Sequence, residues 1–303
     1  MPNCRLQVVN TTHNVVHTCA CILLLAADSF AGQPATGSTN GNLAELVRKA
    51  VQNEIKASDE DSAHFFFRGT NTTPKGSTTK IYVETKEATA GRVVAYNGKA
   101  LTPEQRKEED ARVRRFIDNP DELKKKREQE RQNAERTMRI VRALPDAFLY
   151  EYAGEEKSTA GIGRVGDTLL KLNFRPNPRY HSPSRIEEVL TGMQGYLLLD
   201  ATRYRIASID GTLFKEVGFG WGILGHLDKG GRFVVHQQEV GDNFWEVSGM
   251  TLSFTGKILL FKNLTINSTE IFSGFKRVAL DLTFAQALEM LKREESSETT
   301  THP

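Results

Sequence analysis

The stretch Met250-Thr251-Leu252-Ser253-Phe254-Thr255 alternates apolar and polar side chains without a break. A two-residue period sends Met250, Leu252 and Phe254 to one face of an extended chain and Thr251, Ser253 and Thr255 to the other. Wound into a helix, the same residues would scatter around the axis and bury nothing together. The pattern therefore demands a strand in a sheet with one dry face and one wet face, as antiparallel sheets have.

Similar runs recur along the chain. HFFFRGTN, TKIYVETK and GRVVAYNG, from His64 onward, are short and β-rich, and Asn97-Gly98-Lys99 closes the last of them. Leu170, Leu172 and Phe174 share one face of TLLKLNFR. After that come GYLLLD and RYRIASID, leading to Asp210-Gly211, a strong hairpin signal. A second turn is expected at Asp228 to Gly231, followed by NFWEVSGMTLSFTGKILLFKNLTIN. The predicted fold class is α+β, mainly antiparallel β. An open sheet or incomplete barrel suits the single dry face.

Helical spacing appears in four places. Leu43, Leu46, Val47, Ala50, Val51 and Ile55 form a stripe on a helix expected to begin at Asn42. Residues 102–144 are dense in charge, with starts marked by Thr102-Pro103 and Asn119-Pro120, which predicts two helices. The second carries only a thin stripe at Leu123, Ala134, Met138 and Val141, so this segment reads as a solvated helical insertion outside the sheet. A short helix is expected after Ser184, and a last amphipathic helix carries Phe284, Leu288 and Leu291. The Ser, Glu and Thr residues from 294 to 303 read as a disordered tail.

The N-terminus has a different character. Its apolar run, Cys19 to Ala27, is too short for a membrane-spanning helix, which needs roughly 20 residues. Arg5 precedes it and Ser29-Phe30-Ala31 follows with small residues at the first and third positions, the layout of a secretory signal peptide over residues 1–31. Cys19 and Cys21 lie inside that run and lack the residues of a lipid-attachment site. Cleavage would remove Cys4, Cys19 and Cys21, all three cysteines, leaving neither a disulfide nor a thiolate site. Residues 32–41, rich in Gly, Ser and Thr, read as a flexible linker, and 42–293 as a single domain. The expected product is exported, periplasmic or otherwise, soluble and monomeric, with no transmembrane segment in the mature chain.

Chemistry-bearing motifs are scarce. The net charge of +2 is small beside 40 basic and 38 acidic residues, and no concentrated basic patch points to nucleic acid. Gly161, Gly163 and Gly166 precede a strand, and Gly220, Gly222 and Gly225 run into a turn, so neither string opens the helix that a dinucleotide site requires. His64, His181, His226, His236 and His302 show no zinc-ligand spacing, although His226 and His236 flank one hairpin. No catalytic constellation, cofactor or metal site is expected.

The order of elements, with GYLLLDATRYRIASIDGTLFKE and GWGILGHLDKGGRFVVHQQEV, resembles the periplasmic outer-membrane lipoprotein-sorting (LolA-like) proteins. The resemblance covers about 42–100 and 147–280. It implies an incomplete (half) β-barrel covered by helices, whose apolar concave face accepts the acyl chains of a lipid or lipoprotein. The expected groove residues are Met250, Leu252, Phe254 and Leu260, and the helices at 43–55, 186–190 and 284–291 are expected to cover them. Three functions follow from this reading: a non-catalytic lipid carrier or sensor, a structural or interaction protein of the envelope, or an exported hydrolase.

Overall fold

Strands form where alternation and turn residues place them. The structure, a computed structural model, describes residues 38–60, 62–219, 224–258 and 262–301. The signal-peptide reading at 1–31 and Leu260 both lie outside the described residues. A first helix, α1 (Ser38–Asp59), is followed by β1 (His64–Thr73), β2 (Gly76–Val83), β3 (Ala90–Tyr96) and the two-residue β4 (Lys99–Ala100). Asn97 and Gly98 both take positive φ, which closes the β3–β4 hairpin. Two helices come next, α2 (Pro103–Asp118) and α3 (Pro120–Ala147). Each has its proline in the first turn behind a polar cap: Thr102 accepts from the Gln105 N–H and Asn119 from the Asp121 N–H.

The second half of the chain is nearly all strand: β5 (Phe148–Lys157), β6 (Thr168–Pro176), the short α4 (Arg185–Glu188) with a 3-10 turn at Val189–Gly192, then β7 (Met193–Asp200) and β8 (Arg205–Leu213). A small arm, β9 (Val217–Phe219) and β10 (Gly225–Leu227), precedes the long strands β11 (Arg232–Gly241), β12 (Phe244–Ile258) and β13 (Lys262–Val278). The last helix is α5 (Phe284–Thr301). Among the described residues no helix is long and apolar enough to cross a membrane.

Among the described residues, all 13 strands belong to one antiparallel sheet, ordered β4-β3-β2-β1-β13-β12-β11-β8-β7-β6-β5, with β10 and β9 attached beside β12. The sheet does not close into a barrel. Two meanders make it up, and β1 against β13 is the seam between them, pairing His64 with Val278 through Thr72 with Thr269.

This topology dictates what the charged insertion does. β4 is one edge of the sheet and β5 the other, and α2 and α3 are the connection between them. The connection has to cross from edge to edge, and a helix of 28 residues at ~1.5 Å per residue reaches ~42 Å. The segment is helical and outside the sheet as expected, but it packs on the sheet instead of standing free in solvent. In α2, Glu109 accepts from the Val93 N–H at 2.7 Å and Arg112 donates to the Gly91 carbonyl at 2.8 Å, capping β3 where β4 no longer pairs with it. In α3, Glu130 accepts from the Thr89 N–H at 3.1 Å. The predicted stripe is only partly right: Ala134 is exposed, while Asn133 beside it is buried.

Three further expectations are corrected. α1 begins at Ser38, so the end of the presumed 32–41 linker is helical. Asp210 and Gly211 do not turn. They lie inside β8, where Gly211 pairs with Gly195 on one side and Phe233 on the other. The glycine is there for closeness, because a Cβ on it would lie 2.6 Å from the Met193 sulfur. The tail expected from Glu294 is helical through Thr301, and Glu295 is only 5% exposed. Its carboxylate holds the buried Arg92 guanidinium at 2.5 Å, which a polar composition does not reveal.

Two main cores result. The larger one packs α1 (Val47, Ala50, Val51) and the end of α3 (Leu144, Ala147) against one side of β5–β8 and β12. The smaller one packs α5 (Phe284, Ala287, Leu288, Leu291) and Val113 of α2 against β2 and β3. Helix α5 therefore seals its own core instead of covering the groove expected on β12.

Candidate functional site

Within the larger core the packing is incomplete. A cavity of about 260 Å3 remains between sheet and helices. Its floor is one face of the central strands: Phe233 and Val235 of β11, and Met250, Leu252 and Phe254 of β12. Alternation puts these three β12 residues on one face, and all three are buried, Leu252 to 1% exposure. Three of the four groove positions read from the sequence thus stand on one cavity wall. The fourth, Leu260, lies outside the described residues.

The roof comes from elsewhere than expected. Met138, Ile140, Val141 and Leu144 of α3 cover the cavity, joined by Ile186 of α4, with Val189 and Leu190 of the 3-10 turn. Phe219 and Leu227, from the β9–β10 arm, close one side. The helix at 43–55 contributes Glu54 to the wall, and α5 contributes nothing. Sequence reasoning missed α3 because charge dominates its composition. The signal that reveals it is the run Met138, Ile140, Val141 and Leu144 at its C-terminal end.

Charge on the wall is sparse. The Glu54 carboxylate is held by Arg205 at 3.0 and 2.9 Å and by the Ile206 N–H at 3.1 Å, so its acceptor capacity is occupied. Arg136 is half-buried and, among the described residues, makes no ion pair; its guanidinium reaches only the Asn133 side-chain oxygen, at 3.5 Å. No histidine and no second carboxylate joins Glu54 on the wall. Such a lining is apolar, with Glu54 its one carboxylate among the described residues.

A second hollow, of about 410 Å3 and polar, lies at the C-terminal end of α1 beside Lys56, Arg203, Arg205 and Trp245. Its arginines are committed, Arg203 to Asp167 and Asp200, and Arg205 to Glu54. Burial, with Glu84 and Glu54 nearby, pushes the Glu246 carboxyl there up to about 8. The two histidines that flank the hairpin have separate partners. His236 bonds the Ser208 hydroxyl at 2.9 Å, whereas His226 faces the carboxylates of Glu216 and Asp228.

No protein-family model matches the chain, and no curated protein matches it by sequence. Among solved structures the chain is similar to a domain from Vibrio parahaemolyticus described as an outer membrane lipoprotein-sorting protein. The identity is 9%, with 82% of this chain and 100% of that chain covered, and the TM-score is 0.26. A likeness of that grade leaves the functional reading to the cavity itself.

Proposed function

We propose that this protein is a non-catalytic carrier or sensor that holds an acyl chain between α3 and that face of β11 and β12. The observation that carries the reading is the cavity: roofed by helix, floored by sheet, and lined almost wholly by aliphatic and aromatic side chains. At about 260 Å3 it lies just below the ~300–1,000 Å3 of ordinary ligand pockets. That is room for a single chain, with the headgroup outside. The Arg136 guanidinium, which among the described residues makes no ion pair and is bonded to the Asn133 side chain at 3.5 Å, supplies a positive group for an acidic headgroup, whether carboxylate or phosphate. Met250, Leu252 and Phe254 are the proposed groove residues. Export to the periplasm or beyond is part of the proposal and rests on the apolar run Cys19 to Ala27 and on Ser29-Phe30-Ala31.

The test is native mass spectrometry of the protein purified from its own host, paired with titration by a fluorescent fatty acid. Copurified lipid and saturable binding at about ten micromolar concentration support carriage. A lipid-free protein that binds no fatty acid refutes it and favours a structural or interaction role.

A further inference from the structure

We propose that Glu216, His226 and Asp228 form a zinc site on the β9–β10 arm. Their ligand atoms lie within 4.8 Å of one another. The His226 Nε2 stands 3.2 Å from Asp228 Oδ1 and 3.9 Å from Glu216 Oε2. Tetrahedral zinc with bonds of ~2.0–2.1 Å holds its ligand atoms ~3.4 Å apart, between those two distances.

The backbone explains how the three meet. Leu227 pairs with Val217 and His226 with Gly218, so Glu216 and Asp228 are opposite each other one step beyond the ladder. His226 is two residues before Asp228, and strand alternation puts it on the same face. Gly218, opposite His226, has no side chain to fill the space between them. Asp228 is fixed from behind: its N–H donates to the Thr255 carbonyl at 2.9 Å and its Oδ2 accepts from the Thr255 hydroxyl at 2.6 Å, which leaves Oδ1 toward the histidine. Orientation of a ligand carboxylate by a neighbouring hydroxyl is what metal sites require.

Two carboxylates directly across a strand pair repel each other unless a cation lies between them. Both acids approach the same nitrogen, Nε2 of His226, which is the atom a metal ion would bond. A metal ion bonded to Nε2 serves both. One nitrogen and two carboxylate oxygens select zinc over calcium or magnesium, which favour all-oxygen shells. A fourth position stays open to solvent. The ion would tie together the two ends of the arm that carries Phe219 and Leu227 to the cavity. The zinc site stands independently of the acyl-chain reading.

The experiment is calorimetric titration of chelator-stripped full-length protein with zinc chloride, with circular dichroism to confirm that each variant is folded. The expected result is one equivalent of zinc bound, lost in His226→Ala and weakened at least about tenfold in Asp228→Asn. His181→Ala, on an exposed loop and outside the cluster, retains it. The proposal is overturned if the folded wild type binds no zinc, if His226→Ala binds as well as wild type, or if excess magnesium or calcium displaces the zinc.

Discussion

Replacing Val141 with tryptophan places a large ring on the wall of the cavity that Met250 and Leu252 also line. The size of the effect follows from the cavity. Its volume of about 260 Å3, at ~30 Å3 for each water-sized group, accommodates roughly nine methylenes. Burying each contributes ~0.8 kcal/mol, so the most an acyl chain can gain is ~7 kcal/mol. That corresponds to a dissociation constant no tighter than ~10 μM from the chain alone. In the wild type, affinity should therefore rise about fourfold per added methylene and flatten near a length of roughly nine carbons, because further methylenes stay in water. Tryptophan adds about seven heavy atoms, and if half enter the cavity the loss is ~3 kcal/mol, or ~100-fold for a ten-carbon acid. Displacement of a fluorescent fatty acid by a series of saturated acids measures both quantities. The reasoning fails if affinity keeps climbing at the same slope well past ten carbons, or if Val141→Trp, shown to be folded, binds the series as wild type does.

Three other outcomes follow from the structure. Replacing residues 103–147 with a short linker should abolish folding, because β4 and β5 are opposite edges of the sheet; a cooperative melting transition in that variant would contradict the edge-to-edge crossing. Truncation after Arg293 removes Glu295 from the buried Arg92, whose guanidinium is 2% exposed, and should cost about 3 kcal/mol in urea unfolding, as breaking a buried pair does. An unchanged midpoint would show the end of α5 to be dispensable. The Glu246 carboxyl is pushed up to about 8 by burial and by its acidic neighbours. The folded state then binds a proton that the unfolded chain has released, so stability falls as pH rises from about 4.5 to about 8. Glu246→Gln should therefore raise the melting temperature at about pH 8.5 and change it little near pH 4.5, and an equal shift at both pH values would refute the assignment.

Local order was legible because its causes are local. Alternation at Met250 to Thr255 requires a strand with one dry face, and it places three residues of the cavity floor before any fold is known. Thr102-Pro103 and Asn119-Pro120 mark both starts of the helical pair, because a cap and a first-turn proline act within four residues. The misreadings arose where a distant partner decides. Asp210-Gly211 is a turn signal in isolation, but inside β8 the glycine admits Met193, and pairing on both sides outweighs the turn preference. Glu294 onward is polar, yet Glu295 is drawn into the interior by a guanidinium more than 200 positions earlier in the chain. Residues 103–147 look solvated, and it is the pairing of β1 with β13 that puts β4 and β5 on opposite edges and makes α3 the roof. Glu216, His226 and Asp228 have no recognisable spacing, since a two-strand register brings them together. The period of the side chains determined what each strand and helix would bury. Only the tertiary structure decided against what, because that choice rests on contacts between segments whose proximity no local pattern encodes.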